Sequence, residues 1–431
     1  MNPNLEQTAT GIAAEKPTRA RVVLAVILFI TLMVSYLDRV NVSVLVADPK
    51  FLADMGIAGQ PVQMGLLMTT FLFAYGISNI ITGPIGDKLG PRKAMTLSIV
   101  LWGVSMAMGG MAATFGVMIA ARIILGIGEG MHWPMQSSFV KNWFPPGERV
   151  KANSAWIVGI MVGPAIAMPM FTNIVSAAGW KAIFQFLLAL SVVPMILIWF
   201  YTSDTPRGSK RINQAEIDHI ENGLKAEQAA QAARLATAGG TLKKFYLDYQ
   251  YWLIVIGFLC SASMYWGTLT WLPSYLKVAR GFAWSQLGSF AALPYYLGIV
   301  TVITFGIIAD RSKRKGIFPM IALTGAASCI FLGANAVDNF TSAYCMSGAV
   351  GFIGVGLPSY WAVMQSLVPA SSIGSAAGLM NGVASIGSSF VPTIVGFFIA
   401  ATGSYFGGLM FLVTMGSIGA VCMLILTLKK V

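Results

Sequence analysis

The chain has 431 residues, of which 56% are hydrophobic and only 10% charged, against about 25% charged in an average soluble domain. With a mean hydropathy of +0.73, this composition excludes a soluble globular protein and points to an integral membrane protein. The net charge of +12 comes from basic residues distributed loop by loop, so it argues for membrane orientation and against nucleic acid as a partner.

Residues 1–20 are polar, contain Glu6 and Glu15 and lack an apolar core, which predicts a cytoplasmic tail and not a cleavable signal peptide. Twelve apolar stretches of bilayer length follow. They predict helices 1 to 6 at 21–47, 62–86, 95–114, 116–139, 152–177 and 181–202, and helices 7 to 12 at 250–277, 284–309, 317–336, 339–366, 372–401 and 404–428. Between the sixes, 203–249 is a polar cytoplasmic linker rich in Ala, Glu, Gln and Lys and broken at Gly239-Gly240. The expected domains are thus the tail, a bundle over 21–202, the linker, a bundle over 250–428 and a cytoplasmic tail at 429–431.

Counting both termini as cytoplasmic, the inner loops and tails carry 22 Lys and Arg residues, while the other side has only Lys50, Lys181, Lys277 and Arg280. The positive-inside rule therefore puts both termini in the cytoplasm. The halves also echo one another. Gly83-Pro-Ile-Gly-Asp87-Lys88-Leu-Gly90-Pro-Arg92-Lys93 after helix 2 has a degenerate copy, Gly306-Ile-Ile-Ala-Asp310-Arg311-Ser-Lys313-Arg314-Lys315, after helix 8 at an offset of 223. Gly159-x-x-x-Gly163-Pro164 on helix 5 pairs with Gly387-x-x-x-Val391-Pro392 on helix 11 at an offset of 228. An all-α membrane protein of two pseudo-symmetric six-helix bundles is the expected fold.

Away from their ends, only four charged residues fall inside the apolar stretches: Asp38 and Arg39 on helix 1, Arg122 and Glu129 on helix 4. Each costs roughly 2.5 to 3.5 kcal/mol at mid-bilayer, so two acids and two arginines in one half predict a paired, water-accessible site. Arg122, Gly126, Glu129 and Trp133 lie close to one helical face, with His132 beside it. A carboxyl that gains and loses a proton would release its arginine to hold an anion bidentately, so Asp38 and Glu129 are candidate proton sites and Arg39 the candidate anion contact. Arg122 reads as the more structural partner in this charge network. His132 can relay protons, bind substrate or simply pack.

The second half has no ionisable group in its membrane cores apart from tyrosines and cysteines. It is expected to supply shape and neutral hydrogen bonds, from Tyr265, Trp266 and Trp271 on helix 7, Ser359, Tyr360, Trp361 and Gln365 near the Gly356/Pro358 break of helix 10, and Asn381 on helix 11. Cys260, Cys329, Cys345 and Cys422 have neither metal-ligand spacing nor a secretory framework. The sequence has no His-Glu-x-x-His run and no Gly-x-Ser-x-Gly elbow, so no metal, cofactor or enzymatic activity is expected. No strong oligomer signal is present, and a monomer is expected.

The Gly-x-x-x-Asp-Lys-x-Gly-x-Arg-Lys run, its echo and the twelve-helix plan resemble the major facilitator superfamily over the whole chain. Gly83, Asp87, Gly90, Arg92 and Lys93, with Asp310 and Arg311, would form its cytoplasmic gate. Tyr36-Leu-Asp38-Arg39-Val-Asn41, Arg122-Ile-Ile-Leu-Gly126-Ile-Gly128-Glu129-Gly130 and Trp143-Phe-Pro145-Pro146-Gly-Glu148-Arg149 look like the anion:cation symporter branch. That branch includes bacterial galactonate, glucarate and hexuronate carriers and, more distantly, vesicular glutamate transporters and sialin.

The resemblance implies proton-coupled uptake of a small organic anion across a bacterial inner membrane. It gives proton roles to Asp38 and Glu129, an anion contact to Arg39, and a place in the sugar-acid site to Tyr75, Trp361 and Asn381. One departure stands out: Ile160 occupies the helix 5 position where the galactonate carriers place a glutamine. With Trp133, Trp271 and Trp361, it favours a less hydroxylated or aromatic carboxylate. The alternative function is an organic-anion exchanger or facilitator without proton coupling.

Overall fold

A computed structural model describes residues 16–237, 245–312, 314–368 and 373–429; within these, the side chains at 83–88, 146, 147, 150, 151, 154, 226–237, 245, 310, 365 and 373–375 are not described. Gly83, Asp87, Asp310 and Gln365 therefore lie outside the residues whose side chains can be placed. Among the described residues, twelve helices are long and apolar enough to cross a bilayer. At a rise of about 1.5 Å per residue, each covers most or all of a hydrocarbon core of about 30 Å.

In the first half these are helix 1 (Ala20–Leu45), helix 2 (Pro61–Leu89), helix 3 (Pro91–Met111), helix 4 (Phe115–Trp143), helix 5 (Gly159–Ala178, preceded by Pro146–Ile157) and helix 6 (Lys181–Tyr201). In the second half they are helix 7 (Tyr249–Ser274, closing in a wide turn at Tyr275–Ala279), helix 8 (Trp284–Arg311), helix 9 (Ile317–Asn335), helix 10 (Asn339–Leu367), helix 11 (Ile373–Ser389 and Val391–Thr402) and helix 12 (Tyr405–Leu428). Local chemistry sets many starts. The Asp248, Asp338 and Ser404 side chains accept backbone N–H groups at the heads of helices 7, 10 and 12, meeting donors that have no partner within the helix.

Two of the boundaries that differ from expectation share a reason. Helix 4 runs on to Trp143 because its indole donates to the Ser203 carbonyl at 3.0 Å, a tertiary contact that hydropathy does not register. Helix 3 begins at Pro91, directly behind Gly90, whose φ of +82° turns the chain between helices 2 and 3. The Asp204 carboxylate fills the space that a Cβ on Gly90 would need and accepts the Arg92 backbone N–H at 2.8 Å, capping helix 3.

The halves meet along two helix pairs. Where helix 2 crosses helix 11, a Cβ on Gly65 would sit 2.7 Å from the Pro392 carbonyl carbon, and the Thr69 and Thr393 hydroxyls bond at 2.8 Å. Where helix 8 crosses helix 5, a Cβ on Gly288 would sit 2.7 Å from the Pro169 Cα, and Trp284 donates to the Thr172 carbonyl at 2.8 Å. Gly65 and Gly288 are 223 residues apart, as are Pro169 and Pro392. The contact thus matches Pro392 with Pro169, where the sequence pattern had matched it with Pro164.

The linker helix, Gln214–Thr237, is docked by Glu216. Fully buried, Glu216 accepts the backbone N–H groups of Ala20 (3.1 Å) and Arg21 (3.2 Å) at the head of helix 1 and pairs with the Arg21 guanidinium at 3.0 Å. Arg21 also reaches Glu148 at 2.9 Å, and His219 approaches the same carboxylate at 2.9 Å. The linker is therefore strapped to the first bundle by charge-assisted bonds, the stronger class of hydrogen bond.

Candidate functional site

Helix 1 and helix 4 bring the four membrane charges together, but not as two equivalent pairs. Arg39 directs Nη2 (2.7 Å) and Nε (2.9 Å) at one oxygen of Glu129, Oε2. The pair is closed off, with Arg39 3% and Glu129 0% exposed. Around the guanidinium stand the rings of Tyr36 at 4.3 Å, Tyr75 at 4.7 Å, Phe71 at 5.3 Å and Trp266 at 5.9 Å. An aromatic cage of this kind stabilises a cation by about 0.5 to 2 kcal/mol per good contact while leaving its hydrogen-bonding edge free for an anion.

Helix 2 can supply Phe71 and Tyr75 because helix 4 presses directly on it. A Cβ on Gly126 would overlap the Phe71 carbonyl and lie 2.9 Å from the Tyr75 nitrogen. Trp266 comes from helix 7, so the cage already spans both halves.

Arg122 is held differently. Its Nε donates to the Leu67 carbonyl at 3.1 Å, and Nη1 to the Asp38 carbonyl and to Asn41 Oδ1, both at 3.3 Å. Phe71 stacks on it at 4.8 Å. No contact reaches the Asp38 carboxylate, so Arg122 ties the backbones of helices 1 and 2 and the expected second ion pair is absent among the described residues. Both oxygens of Asp38, itself 0% exposed, lack a hydrogen-bond partner, as does Oε1 of Glu129. Burying such atoms unpaired costs of the order of 1 to 3 kcal/mol each, more when charged, and a proton would remove the charge.

Among the described residues, His132 makes no hydrogen bond or ring contact with the cage. Its Nε2 is 2.8 Å from Gln136 Nε2, its ring lies against Trp102 at 5.5 Å, and Nδ1 has no partner. Gln136 also donates to the Leu28 carbonyl at 3.1 Å.

The uncharged half is less tightly assembled. Tyr265 is half-buried beside Trp266, with ring centres 5.2 Å apart, and Trp361 is half-buried against Phe258 at 5.6 Å. Ser359 is buried with an unpartnered hydroxyl, and Asn381 is half-buried on the first segment of helix 11. Among the described residues, no hydrogen bond or ring contact joins Ser359, Trp361 or Asn381 to Arg39.

Two expected wall residues do other work. Trp271, 3% exposed, donates to the Pro392 carbonyl at 3.0 Å and packs on Tyr405, so it cements helices 7, 11 and 12. Trp133 packs edge-on against Trp156 at 4.9 Å.

At the expected gate, Arg92 stacks over Trp199 of helix 6 at 4.7 Å, inside its own bundle, while Lys93 and Arg311 are exposed. Residues that sequence reasoning passed over include Phe71, Asn79 and Gln136. Phe71, Tyr75 and Asn79 recur every fourth residue on helix 2, a stripe that marks one helical face.

Known proteins resemble this chain over most of its length. Residues 28–392 match the model of the Major Facilitator Superfamily. The chain is 31% identical to a probable sulfoacetate transporter of Cupriavidus necator, covering 86% of each protein, and 30% identical to a D-galactonate transporter of Escherichia coli, covering 96% of this chain and 97% of that one. A probable galactarate/D-glucarate transporter of Escherichia coli is 27% identical over 95% of this chain and 93% of its own length.

Among solved structures, a bacterial homologue of the lysosomal transporter Spinster superposes with a TM-score of 0.75 at 16% identity, covering 96% of this chain and 98% of that one. A D-xylose-proton symporter does so with a TM-score of 0.72 at 16% identity, covering 94% and 97%. At these identities the two structures speak for the fold alone. Family model, curated relatives and fold converge: the chain belongs to the Major Facilitator Superfamily, in its branch of anion transporters.

Proposed function

We propose that this transporter imports a small organic anion together with protons, with both termini in the cytoplasm of a bacterium and the site exposed alternately to either side of the inner membrane. The observation that carries the reading is the aromatic-caged Arg39–Glu129 pair beside the unpartnered Asp38 carboxyl. Protonation of Glu129 would free the Arg39 edge to grip a substrate carboxylate or sulfonate, and Asp38 supplies a second place for a proton. Tyr75, Tyr265, Ser359, Trp361 and Asn381 would then shape the cavity around the rest of the molecule.

Ile160, half-buried on helix 5, favours a weakly hydroxylated acid, and the relative named for sulfoacetate supports that preference. Arg122 serves the same site as a structural tie. The relatives named for sulfoacetate and D-galactonate support transport of an organic acid, and the 22-to-4 distribution of basic residues supports the orientation.

The test is a pH electrode on proteoliposomes of the full chain, with sulfoacetate, D-galactonate and D-glucarate added in turn. Import with protons predicts external alkalinisation on addition of the transported acid. The tight Arg39–Glu129 bond also suits an exchanger that never breaks its pair, which predicts uptake with no such change.

A further inference from the structure

Below the Arg39–Glu129 pair, helices 1 and 4 enclose a line of polar atoms that anion binding does not use. Glu129, His132 and Gln136 lie at i, i+3 and i+7 on helix 4, so they stack on one face with steps of about 5 to 6 Å per turn. All three are nearly inaccessible, at 0%, 2% and 0% exposure. Each nevertheless leaves one polar atom without a partner: Glu129 Oε1, His132 Nδ1 and Gln136 Oε1. The hydroxyl of Ser35 on helix 1, which lies near Glu129, makes no hydrogen bond that meets normal geometry.

Four unpaired buried atoms on one seam are expensive for packing alone, at about 1 to 3 kcal/mol each. They are the kind of lining that holds ordered water, which typically bonds two to four polar groups. Among the described residues, Arg39 on helix 1 is the charged group that acts on His132, while helix 3 presents the Trp102 ring.

Gln136 bonds the Leu28 carbonyl, and one turn further along helix 1 Leu24 lines a cavity of about 210 Å³ together with Ala20, Trp143, Arg19 and Arg211. That cavity lies at the end of the molecule where helix 1 begins and helix 4 finishes.

We propose that Ser35, His132 and Gln136 line a water path through which Glu129 exchanges its proton with this cavity, an inference that rests on the proton-coupled reading above. A proton leaving Glu129 passes to the first water, and the last water releases one into the cavity; no side chain along the way changes charge. His132 and Gln136 are positioning residues. The Gln136 amide, donating to both Leu28 and His132 Nε2, fixes the His132 ring with Nδ1 turned to the path.

The experiment uses Gln136→Leu and Gln136→Asn in proteoliposomes of the full chain, with sulfoacetate and D-galactonate as probes. Two rates are read: net uptake with acidification of the lumen, and counterflow exchange, which requires no net proton release. Gln136→Leu is expected to slow net uptake and acidification by about tenfold or more while changing counterflow by no more than about twofold, with Gln136→Asn in between. Unchanged net uptake in Gln136→Leu, or an equal loss of both rates, would overturn the path. If the unsubstituted protein itself moves no protons with either acid, the proton-coupled reading falls, and the path falls with it.

Discussion

The two halves of this transporter are built alike where they touch and unlike where they face the site. At the contact, each half offers a glycine to a proline of the other: Gly65 meets Pro392, and Gly288 meets Pro169. In the membrane interior, by contrast, Asp38, Arg39, Arg122 and Glu129 all belong to the first half, and the second contributes tyrosines, tryptophans, serines and an asparagine. The repeat thus preserves the surfaces along which the bundles meet, while the membrane charges are confined to one of them. Rocking about a common site requires the first property; coupling to an ion requires only the second.

The largest break in this asymmetry comes from Arg39. Arg39→Ala leaves Glu129 buried without its cation, an arrangement that costs about 3 to 5 kcal/mol. It should abolish binding of the transported acid in calorimetry and lower the melting temperature. Arg39→Lys restores the charge but not the two-pronged edge, so it should recover stability more than affinity.

Next come the paired glycines. Gly65→Val and Gly288→Val each force a side chain into a backbone contact, for a cost of about 1 to 3 kcal/mol. The shared architecture predicts similar losses of transport from the two changes. A large effect from one and none from the other, measured as uptake at matched protein levels, would mean that the symmetry is only geometric.

A smaller effect is expected in the uncharged half. Asn381→Ala removes a neutral hydrogen-bonding group, worth about 1 kcal/mol, and should weaken apparent affinity by less than about tenfold while leaving proton coupling intact. If it uncoupled protons from substrate, the division of labour between the halves would be wrong.

The mildest prediction concerns the linker strap. Burial alone would raise the Glu148 carboxyl, but the hydrogen bonds and charges of His219 and Arg21 outweigh it and hold the group below its ordinary 4.5. A lowered folded value means that the stabilisation is complete above pH 4.5 and drains away as the pH falls through the folded value. Thermal melting of Glu148→Gln and of the unsubstituted protein should therefore differ slightly near neutrality and converge in acid.

Much of this was legible in the sequence because membranes impose simple rules. Twelve apolar stretches gave twelve helices, and the rarity of charge inside them singled out Asp38, Arg39, Arg122 and Glu129. Their partners were not legible. Helical phase places Arg122 and Glu129 on one face, but it cannot reveal that Arg122 spends its donors on the carbonyls of Leu67 and Asp38 while Arg39 takes the carboxylate.

Likewise, Trp271 has the composition of a cavity wall, yet a single indole bond to Pro392 places it in the packing between helices 7 and 11. The Gly90 turn was readable as a turn, whereas the Asp204 carboxylate that fills its open side comes from the end of helix 6, 114 residues later. Such long-range pairings depend on how helices cross, which periodicity within one helix does not encode.

The central claim, that the charged half couples anion binding to a proton at Glu129, is tested most directly by Glu129→Gln in proteoliposomes preloaded with the transported acid. Counterflow exchange and substrate-induced external alkalinisation are measured on the same preparation. The account predicts that exchange persists while alkalinisation and uphill accumulation vanish. Alkalinisation at the level of the unsubstituted protein would contradict it.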